Sequence, residues 1–354
     1  MTTNSVFSGS LRISAVAACA AVLYLCGVFV HAQTTKTAAP GALVLDPRLT
    51  IVVGAEEPGS VHLAAADLAS DFEKVLGTKP KIAAHRGETG ATVLIGEAAK
   101  LPDDQRLAGV ADPESFSIAV TGNTLVLSGA DMRGTLYAIY QFSQEFLGVD
   151  PMYYWTDHEP LRRARIELPS GLNKSYAAPI FKYRGFFIND EDLLTGWAPG
   201  AKDHAGISLE AWNKIYETSL RLKANMVVPG TWIFPDDPQI KAAAERGLIV
   251  TQHHAIPLGV NVARWPKDVE YNYSTHPEII ERAWKDAVAT YPKDIEILWA
   301  VGLRGLSDSS YASMDPSVQG NDALLGKRIS SAIDEQMKIV RAVHPDAKFV
   351  TDLW

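Results

Sequence analysis

The segment FKYRGFFIND, residues 181–190, decides the fold that the sequence predicts. It opens on Arg184 and Gly185, continues through the apolar residues 186–188 and ends in four polar residues, 189–192. An apolar strand buried on both faces and followed at once by carboxylates is typical of a parallel α/β barrel, whose chemistry lies at the carboxyl ends of its strands. A solvated acidic loop would explain a lone cluster equally well, so the prediction depends on how the later strands end.

Strands and helices alternate after this segment. The alternation predicts a parallel sheet with right-handed crossovers. Four complete βα units and a fifth strand are present where a (β/α)8 barrel needs eight units, so we expect residues 180–354 to be an incomplete barrel whose chain continues past Trp354. The alternative is an open, five-stranded, doubly wound sheet that is complete as it stands. The later strands are predicted at 225–228, 248–251, 295–301 and 348–353, and the helices at 208–224, 239–246, 276–291 and 322–343.

A smaller α/β domain is predicted to precede the barrel, at residues 44–158. Apolar residues at helical spacing predict a helix that ends at Gly77 and a second that ends at Gly148. Alternating residues on both sides of Gly122 predict a β-hairpin. Residues 33–43 have the composition of a linker, and residues 159–179 are predicted to connect the two domains. Nothing in the smaller domain suggests catalysis.

The first 32 residues have the pattern of a secretory signal peptide. Arg12 precedes an apolar run at 13–30, and small residues lead to a predicted cleavage site after Ala32. We therefore expect a secreted or periplasmic protein. An uncleaved membrane anchor and a lipoprotein processed at Cys19 are the alternatives.

Composition excludes several classes of function. The only two cysteines, Cys19 and Cys26, lie in the predicted signal peptide, so the mature chain would have no disulfide, thiol nucleophile or cysteine metal site. With 33 basic and 41 acidic residues the net charge is −8, which argues against binding nucleic acid through its phosphates.

Four predicted strands end in polar side chains that would meet at one edge of the sheet. Carboxylates, imidazoles, a tryptophan and an arginine in one cleft suit a sugar, because aromatic faces stack on it and carboxylates act as acid and base. Arg304 and Lys202 could pair with an acidic sugar. The candidates are Asn189, Asp190, Glu191 and Asp192, then Trp232, Asp236 and Asp237, then Gln252, His253 and His254, then Arg304, Ser307 and Asp308.

Each of these candidates also has a purely structural interpretation. His253 and His254 are adjacent, so on a strand they would face opposite sides, and we expect one in the cleft and no metal site. Arg304 could instead anchor the fold by pairing with Asp190 or Glu191. Prolines on both sides of Asp236 and Asp237 favour a turn there.

Several separated motifs together resemble glycoside hydrolase family 115, the xylan α-glucuronidases. They are KYRGFFINDEDLLTGWA, LKANMVVPGTW, TQHH and VGLRGLSDSS, and the segment GADMRGTLYAIYQFSQEFLGVDP is similar to the end of the family's N-terminal domain. The chain departs from the family pattern around Asp308, where Ser307 replaces a histidine and Ser310 and Tyr311 replace Gly-Met. It also has Val228 and Pro229 where an aromatic residue and a proline are common.

The resemblance implies an inverting enzyme that removes glucuronic acid, or its 4-O-methyl ether, from glucuronoxylan. By this resemblance, Asp190 and one of His253 and His254 would bind the uronic acid. Asp308 would be the catalytic carboxylate that activates water. A second carboxylate is expected beyond Trp354, so we expect the 354-residue chain alone to be inactive and poorly stable. The implied partner is a polysaccharide, with no cofactor, and a homodimer of the full-length protein stays open. The alternatives are a non-catalytic carbohydrate-binding protein and a related hexosaminidase-like hydrolase.

Overall fold

The computed structural model of the chain describes residues 41–87, 89–107, 110–189, 192–198, 206–231, 233–260, 264–305 and 309–351. These residues build a six-stranded mixed sheet, a five-stranded parallel sheet and a two-stranded antiparallel ribbon, with helices between them. The predicted α/β class is therefore confirmed. Within the described ranges, no helix has both the length and the apolar character needed to cross a membrane.

The six-stranded sheet belongs to the N-terminal part of the chain, and its strand order is β3-β2-β4-β6-β5-β8. β2, β3, β4 and β6 are parallel, whereas β5 is antiparallel to both of its neighbours. The elements are β1 (Leu43–Leu45), β2 (Thr50–Val53), α1 (Gly59–Leu76), β3 (Lys81–Ala83), β4 (Thr92–Glu97), β5 (Phe116–Thr121), β6 (Thr124–Gly129), α2 (Met132–Phe142), α3 (Tyr153–Thr156), β7 (Ile166–Leu168) and β8 (Asn173–Tyr176).

Local sequence explains where the two long helices of this part begin and end. Gly77 has φ of 77° and closes α1 by donating its N–H to the Glu73 carbonyl at 2.8 Å. The Asp131 carboxylate caps α2 by accepting from the Gly134 N–H at 2.8 Å. Gly148, at φ of 74°, ends the π-helical turn Ser143–Leu147 that continues α2. The predicted helices and the hairpin of β5 and β6 are confirmed.

The five-stranded sheet follows the order of the chain, β9-β10-β11-β12-β13, and every neighbouring pair is parallel. A doubly wound sheet needs a point where the strand order reverses, and the described strands show none. The elements are β9 (Gly185–Phe187), α4 (Asp192–Trp197), α5 (Leu209–Arg221), β10 (Met226–Val228), α6 (Pro238–Glu245), β11 (Ile249–Thr251), α7 (Pro277–Thr290), β12 (Ile297–Val301), α8 (Asp322–Val343) and β13 (Lys348–Thr351).

The opening strand is placed as predicted but is not buried. The expectation of a strand covered on both faces is wrong, because Phe186 is 46% and Phe187 41% exposed. In the described part of the chain β9 pairs only with β10, so it forms an edge of the sheet. β13 forms the other edge, and its Val350 is 41% exposed.

The segment predicted to be a connector contributes two strands. β7 pairs with β1 in the antiparallel ribbon, and β8 pairs with β5 at the edge of the six-stranded sheet. The Ser117 and Ser175 hydroxyls lie 3.0 Å apart across that edge. Residues 166–176 therefore pack with the N-terminal sheet instead of simply joining it to the next one.

Ion pairs between largely buried side chains link helix α1 of the N-terminal part to helix α5 and to the residue that ends helix α6. We name Asp67, Asp71, Glu217, Arg221 and Arg246 the junction cluster. Arg221 is 2% exposed, and its Nη2 lies 2.8 Å from Asp71 Oδ2 and 2.8 Å from Glu217 Oε1. Arg246 Nη1 lies 2.8 Å from Asp67 Oδ2. Four of the five side chains thus pair across the boundary between the N-terminal helix and the helices of the parallel sheet.

The pKa values of two carboxylates in the junction cluster, Glu217 and Asp67, are shifted. Burial disfavours the charged form of Glu217, but Arg221, Lys214 and Arg246 outweigh it and lower the Glu217 pKa to about 2. Burial raises the pKa of Asp67, and the nearby charge of Glu217 adds to that effect, while Arg246 opposes it. The cluster therefore stabilises the charged form of Glu217 more than that of Asp67.

A second set of contacts holds the start of β9. The Glu114 carboxylate accepts from Arg184 Nη2 at 2.7 Å and from Asn225 Nδ2 at 2.7 Å. Asn225 Oδ1 in turn accepts from the Arg184 N–H at 2.9 Å. Gly185 is required directly afterwards, because a Cβ there would lie 2.3 Å from the Met226 carbonyl oxygen. The N-terminal part of the chain thus fixes the strand that leads into the candidate site.

Candidate active site

Several described members of the predicted site lie at the carboxyl edge of the parallel sheet. The strand pairing is in register, with Phe187 opposite Val228 and Thr251 opposite Leu298. The residues that follow β9, β10, β11 and β12 therefore leave the sheet at one edge. Asn189, Thr231, the pair His253 and His254, and Arg304 all stand in these positions.

The two histidines contact each other, which corrects the expectation that they face opposite sides. Their ring centroids lie 3.9 Å apart with the planes inclined at 52°. The cause is that β11 ends at Thr251, so the alternation of a strand no longer applies two residues later. His253 is 8% exposed and its ring lies 4.7 Å from that of Phe187, whereas His254 is half-buried.

Asn189 joins the ends of the first two strands. Its Oδ1 accepts from the Thr231 hydroxyl at 2.7 Å. This bond orients the exposed Asn189 amide so that its NH2 group can donate to a ligand. Phe187, two residues earlier, contacts His253 of the third strand end. The ends of β9, β10 and β11 are therefore linked by side chains.

Buried glutamines organise the fourth strand end. Gln252, 5% exposed, accepts from the Ala300 N–H at 2.7 Å. Gln336 of α8 is fully buried, and it accepts from the Gly302 N–H at 2.8 Å and donates to the Gly302 carbonyl at 2.7 Å. Both backbone groups of Gly302 are thus satisfied two residues before Arg304, which is 6% exposed.

Gly305 and Ser309, which are described on either side of residues 306–308, contact each other. The Gly305 N–H donates to the Ser309 carbonyl at 3.0 Å, and a Cβ on Gly305 would lie 2.3 Å from Ser309 Oγ. Further along, the Tyr311 hydroxyl donates to Asp315 Oδ2 at 3.0 Å and accepts from the Tyr273 N–H at 2.8 Å. Gly305 is therefore a position where only glycine fits without displacement.

Two comparisons with known proteins bear on this arrangement. The family model described as glycosyl hydrolase family 115 matches residues 176–354, a stretch that contains the whole five-stranded parallel sheet. The chain belongs to glycosyl hydrolase family 115. The resemblance found in the sequence motifs is confirmed. Among curated proteins, no significant match is found.

Solved structures agree with the family 115 assignment at the level of the fold. A family 115 4-O-methyl-α-glucuronidase, BtGH115A, described as specific for decorated arabinogalactans, superposes with a TM-score of 0.74 at 23% identity. That match covers 87% of this chain and 42% of the other, so this chain spans less than half of the length of BtGH115A. A chitobiase from Flavobacterium johnsoniae gives a TM-score of 0.54 at 10% identity, covering 89% of this chain and 50% of the other.

Several predicted site residues of this family 115 chain lie outside the described residues. These are Asp190, Glu191, Trp232, Ser307 and Asp308, together with Lys202. Among the described residues, no group of three or more His, Cys, Asp or Glu is placed to hold a metal ion. The roles of Asp190 and Asp308 stay predictions.

Asp236 and Asp237 take the structural roles that the flanking prolines favoured. Asp237 Oδ2 accepts from the Phe234 N–H at 2.8 Å, which closes the turn before α6. Asp236 pairs with Arg264 at 2.6 Å, and this hydrogen bond lowers the Asp236 pKa. The Arg264 guanidinium also lies 3.4 Å from the Phe234 ring centroid. Both carboxylates thus have structural partners within this turn and its neighbour Arg264.

Sequence reasoning missed Gln336, although a signal was present. Ala332, Gln336, Ile339 and Val340 form the buried stripe of α8. A glutamine within an apolar stripe must find hydrogen bonds inside the protein, and that requirement marks it as a structural polar residue. Its partner could not be read from the sequence, because Gly302 lies 34 residues away.

Gln336→Leu is expected to lower the free energy of unfolding by about 2–4 kcal/mol, because two buried backbone groups of Gly302 lose their partners. Urea denaturation of both proteins measures the difference. Gln319→Leu is the matched control, since Gln319 is exposed and donates only to the Ala312 carbonyl at 3.0 Å. Its effect should stay below about 0.5 kcal/mol. Equal effects of the two substitutions would contradict the role given to Gln336.

Proposed function

We propose that this chain is the N-terminal part of a secreted glycoside hydrolase that removes glucuronic acid, or its 4-O-methyl ether, from a polysaccharide such as glucuronoxylan. Membership of glycosyl hydrolase family 115 supports the reaction class. The description of BtGH115A as a 4-O-methyl-α-glucuronidase supports glucuronic acid, or its 4-O-methyl ether, as the sugar that is released. The observation that carries the proposal is that Asn189, the two histidines and Arg304 follow four neighbouring parallel strands of the matched sheet, at the same edge.

The described side chains suit an acidic sugar. A guanidinium binds a carboxylate through paired, charge-assisted hydrogen bonds, and Arg304 supplies one at the end of β12. The Asn189 amide offers donors to ring hydroxyls, held in place by Thr231. His254, half-buried against His253, can donate or accept at a hydroxyl according to its protonation. Asp190, which follows Asn189, would accept from another hydroxyl.

The reaction needs two carboxyl groups. In inversion one carboxylate takes a proton from a water molecule while the water oxygen bonds to the anomeric carbon. At the same time a carboxylic acid protonates the glycosidic oxygen that leaves. We assign the first role to Asp308 and expect the second carboxyl group beyond Trp354. The two groups would then be about 6.5–9.5 Å apart, which leaves room for the water.

We also propose that the five parallel strands are a segment of a (β/α)8 barrel. Their order follows the chain without reversal, as barrel strands require. The exposed Phe186, Phe187 and Val350 on the two edge strands support further strands covering them. The 354-residue chain alone is then inactive, because the carboxylic acid that protonates the leaving oxygen lies outside it. It is also poorly stable, because the strands that would cover the apolar side chains of β9 and β13 lie outside it.

The test is release of uronic acid by the full-length protein, with the 354-residue chain assayed in parallel. Glucuronoxylan and a glucuronidated arabinogalactan are the substrates, and NMR of the first product reports its anomeric configuration. We expect free β-configured uronic acid from the full-length protein and none from the shorter chain. Retention of configuration, or turnover of aryl hexosaminides instead, would overturn the proposal. Binding of both polysaccharides without any release would favour a non-catalytic carbohydrate-binding protein.

A further inference from the structure

A cavity of about 480 Å³ opens at the carboxyl ends of β2 and β4 in the six-stranded sheet. Its size falls within the range of about 300–1,000 Å³ that is common for small-molecule sites. The strand order is β3-β2-β4-β6. After β2 the chain therefore crosses to β3 on one side, and after β4 it continues to strands on the other side. Open α/β sheets bind ligands at such a crevice. The cavity is separate from the candidate active site, which lies on the other sheet.

Glu57 is the buried polar group of this cavity, which we name the Glu57 cavity. The residue is 7% exposed, and its Oε1 accepts from the Glu97 N–H at 3.1 Å. Oε2 makes no hydrogen bond within the described residues and lies 3.6 Å from Lys100 Nζ. Gly96 makes room for the carboxyl group, since a Cβ there would lie 2.9 Å from Glu57 Oε1. Glu57 thus lines the cavity with a largely buried carboxyl group that is paired with Lys100.

Burial also affects the charge of this group. It raises the pKa of Glu57, and the Glu97 N–H and the charge of Lys100 offset part of that rise. A ligand hydroxyl in the cavity would share the Glu57 carboxyl group with Lys100 and would add no further charge.

The rest of the lining is divided between donors and apolar surface. His85, Arg86 and Lys100 stand at the exposed rim. Val52, Leu94 and Leu101 form an apolar wall that is itself a small buried cluster on this face of the sheet. A carboxylate acceptor, several donors and an apolar wall match a pyranose, which has hydroxyl groups at its edge and C–H groups on its faces.

Charge argues against a phosphate ligand at the same place. Nucleotide-binding crevices present backbone N–H groups and glycines to the phosphate. Here Glu56 and Glu57 occupy the loop just before α1 and would repel a phosphate dianion. The two acidic and three basic side chains of the lining give no strong net field, which suits a neutral ligand.

We propose that the Glu57 cavity is a second carbohydrate site, which takes one neutral pyranose unit of a glycan chain and is distinct from the site of hydrolysis. It goes beyond the proposed function, because it requires binding and no turnover. Saturation-transfer NMR and calorimetry on the full-length protein would measure it, using methyl glycosides of xylose, arabinose and galactose as probes. Inorganic phosphate and ADP are the comparison ligands.

Ala84→Trp is the test variant, since Ala84 is exposed and lines the cavity, so that an indole would fill it without disturbing the core. Ala111→Trp, at an exposed alanine outside the lining, is the control. We expect at least one glycoside to bind to wild type and to Ala111→Trp, and at least about tenfold more weakly to Ala84→Trp. Glu57→Gln should also weaken glycoside binding, in a protein whose melting temperature is unchanged.

Asp308→Ala should leave this binding intact, which separates it from binding at the candidate active site. Glycoside binding that is equal in Ala84→Trp and wild type would overturn the proposal. So would binding of phosphate or ADP in place of the glycosides, or no binding of any glycoside. A full-length protein that binds through this cavity but releases no uronic acid would disprove the proposed function and leave the second site standing.

Discussion

Replacing Arg221 with methionine is expected to lower the free energy of unfolding by about 3–5 kcal/mol, because removing one partner leaves buried charges uncompensated. Asp71 is 1% and Glu217 1% exposed, and both pair with Arg221. Methionine keeps much of the side-chain length, so the main loss is electrostatic. Urea unfolding followed by circular dichroism measures it.

Two controls distinguish charge from packing in this prediction. Lys241→Ala breaks the surface pair with Glu245, whose side chains are 71% and 56% exposed, and should cost under about 0.5 kcal/mol. A triple variant that also carries Asp71→Leu and Glu217→Leu removes all three charges and should regain most of the stability. The Glu217 pKa, lowered to about 2 in the wild type, should rise in Arg221→Met. A loss below about 1 kcal/mol in Arg221→Met would contradict the fastening role of the junction cluster.

Asp308→Ala in the full-length protein is expected to reduce uronic acid release by about 10²–10⁴-fold, which is the usual contribution of a general base. The substrate affinity should change little, because the proposed role is to deprotonate water. Initial rates over a range of glucuronoxylan concentrations separate kcat from KM. Asp334→Ala, on the exposed face of α8, is the matched control and should keep wild-type rates.

Azide provides the decisive readout for Asp308. As an anion it needs no base, so it should restore part of the rate in Asp308→Ala by forming the glycosyl azide of inverted configuration. A substitution that only disturbed folding would gain nothing from azide. If Asp308→Ala releases uronic acid at the wild-type rate, the assignment of the base is wrong.

The order of secondary structure could be predicted from local sequence. Helical spacing located α1 and α2, and Gly77 and Gly148 marked the ends of α1 and of the π-helical turn after α2, because only glycine takes a left-handed conformation at no steric cost. Alternating apolar residues around Gly122 located the hairpin. Short strands such as β3 and β7 were missed, since three residues carry too little pattern.

Part of the candidate site could also be predicted from local sequence. Polar residues directly after apolar strands identified Asn189, the histidine pair and Arg304, and the family motifs added Asp308. Gln336 and Gln252 were not identified as supports, because their partners Gly302 and Ala300 lie 34 and 48 residues away. The contact between His253 and His254 also escaped prediction, since it depends on where β11 ends.

The sequence by itself determined the element types, the α/β class and the family, because periodicity, caps and motifs are local properties of the chain. Only the tertiary structure decided which elements meet: the pairing of β8 with the N-terminal sheet, the exposed edge at β9 and the ion pairs of the junction cluster, four of whose five residues are buried. Those features depend on hydrogen bonds and burial between residues as many as 179 positions apart, which no local pattern records.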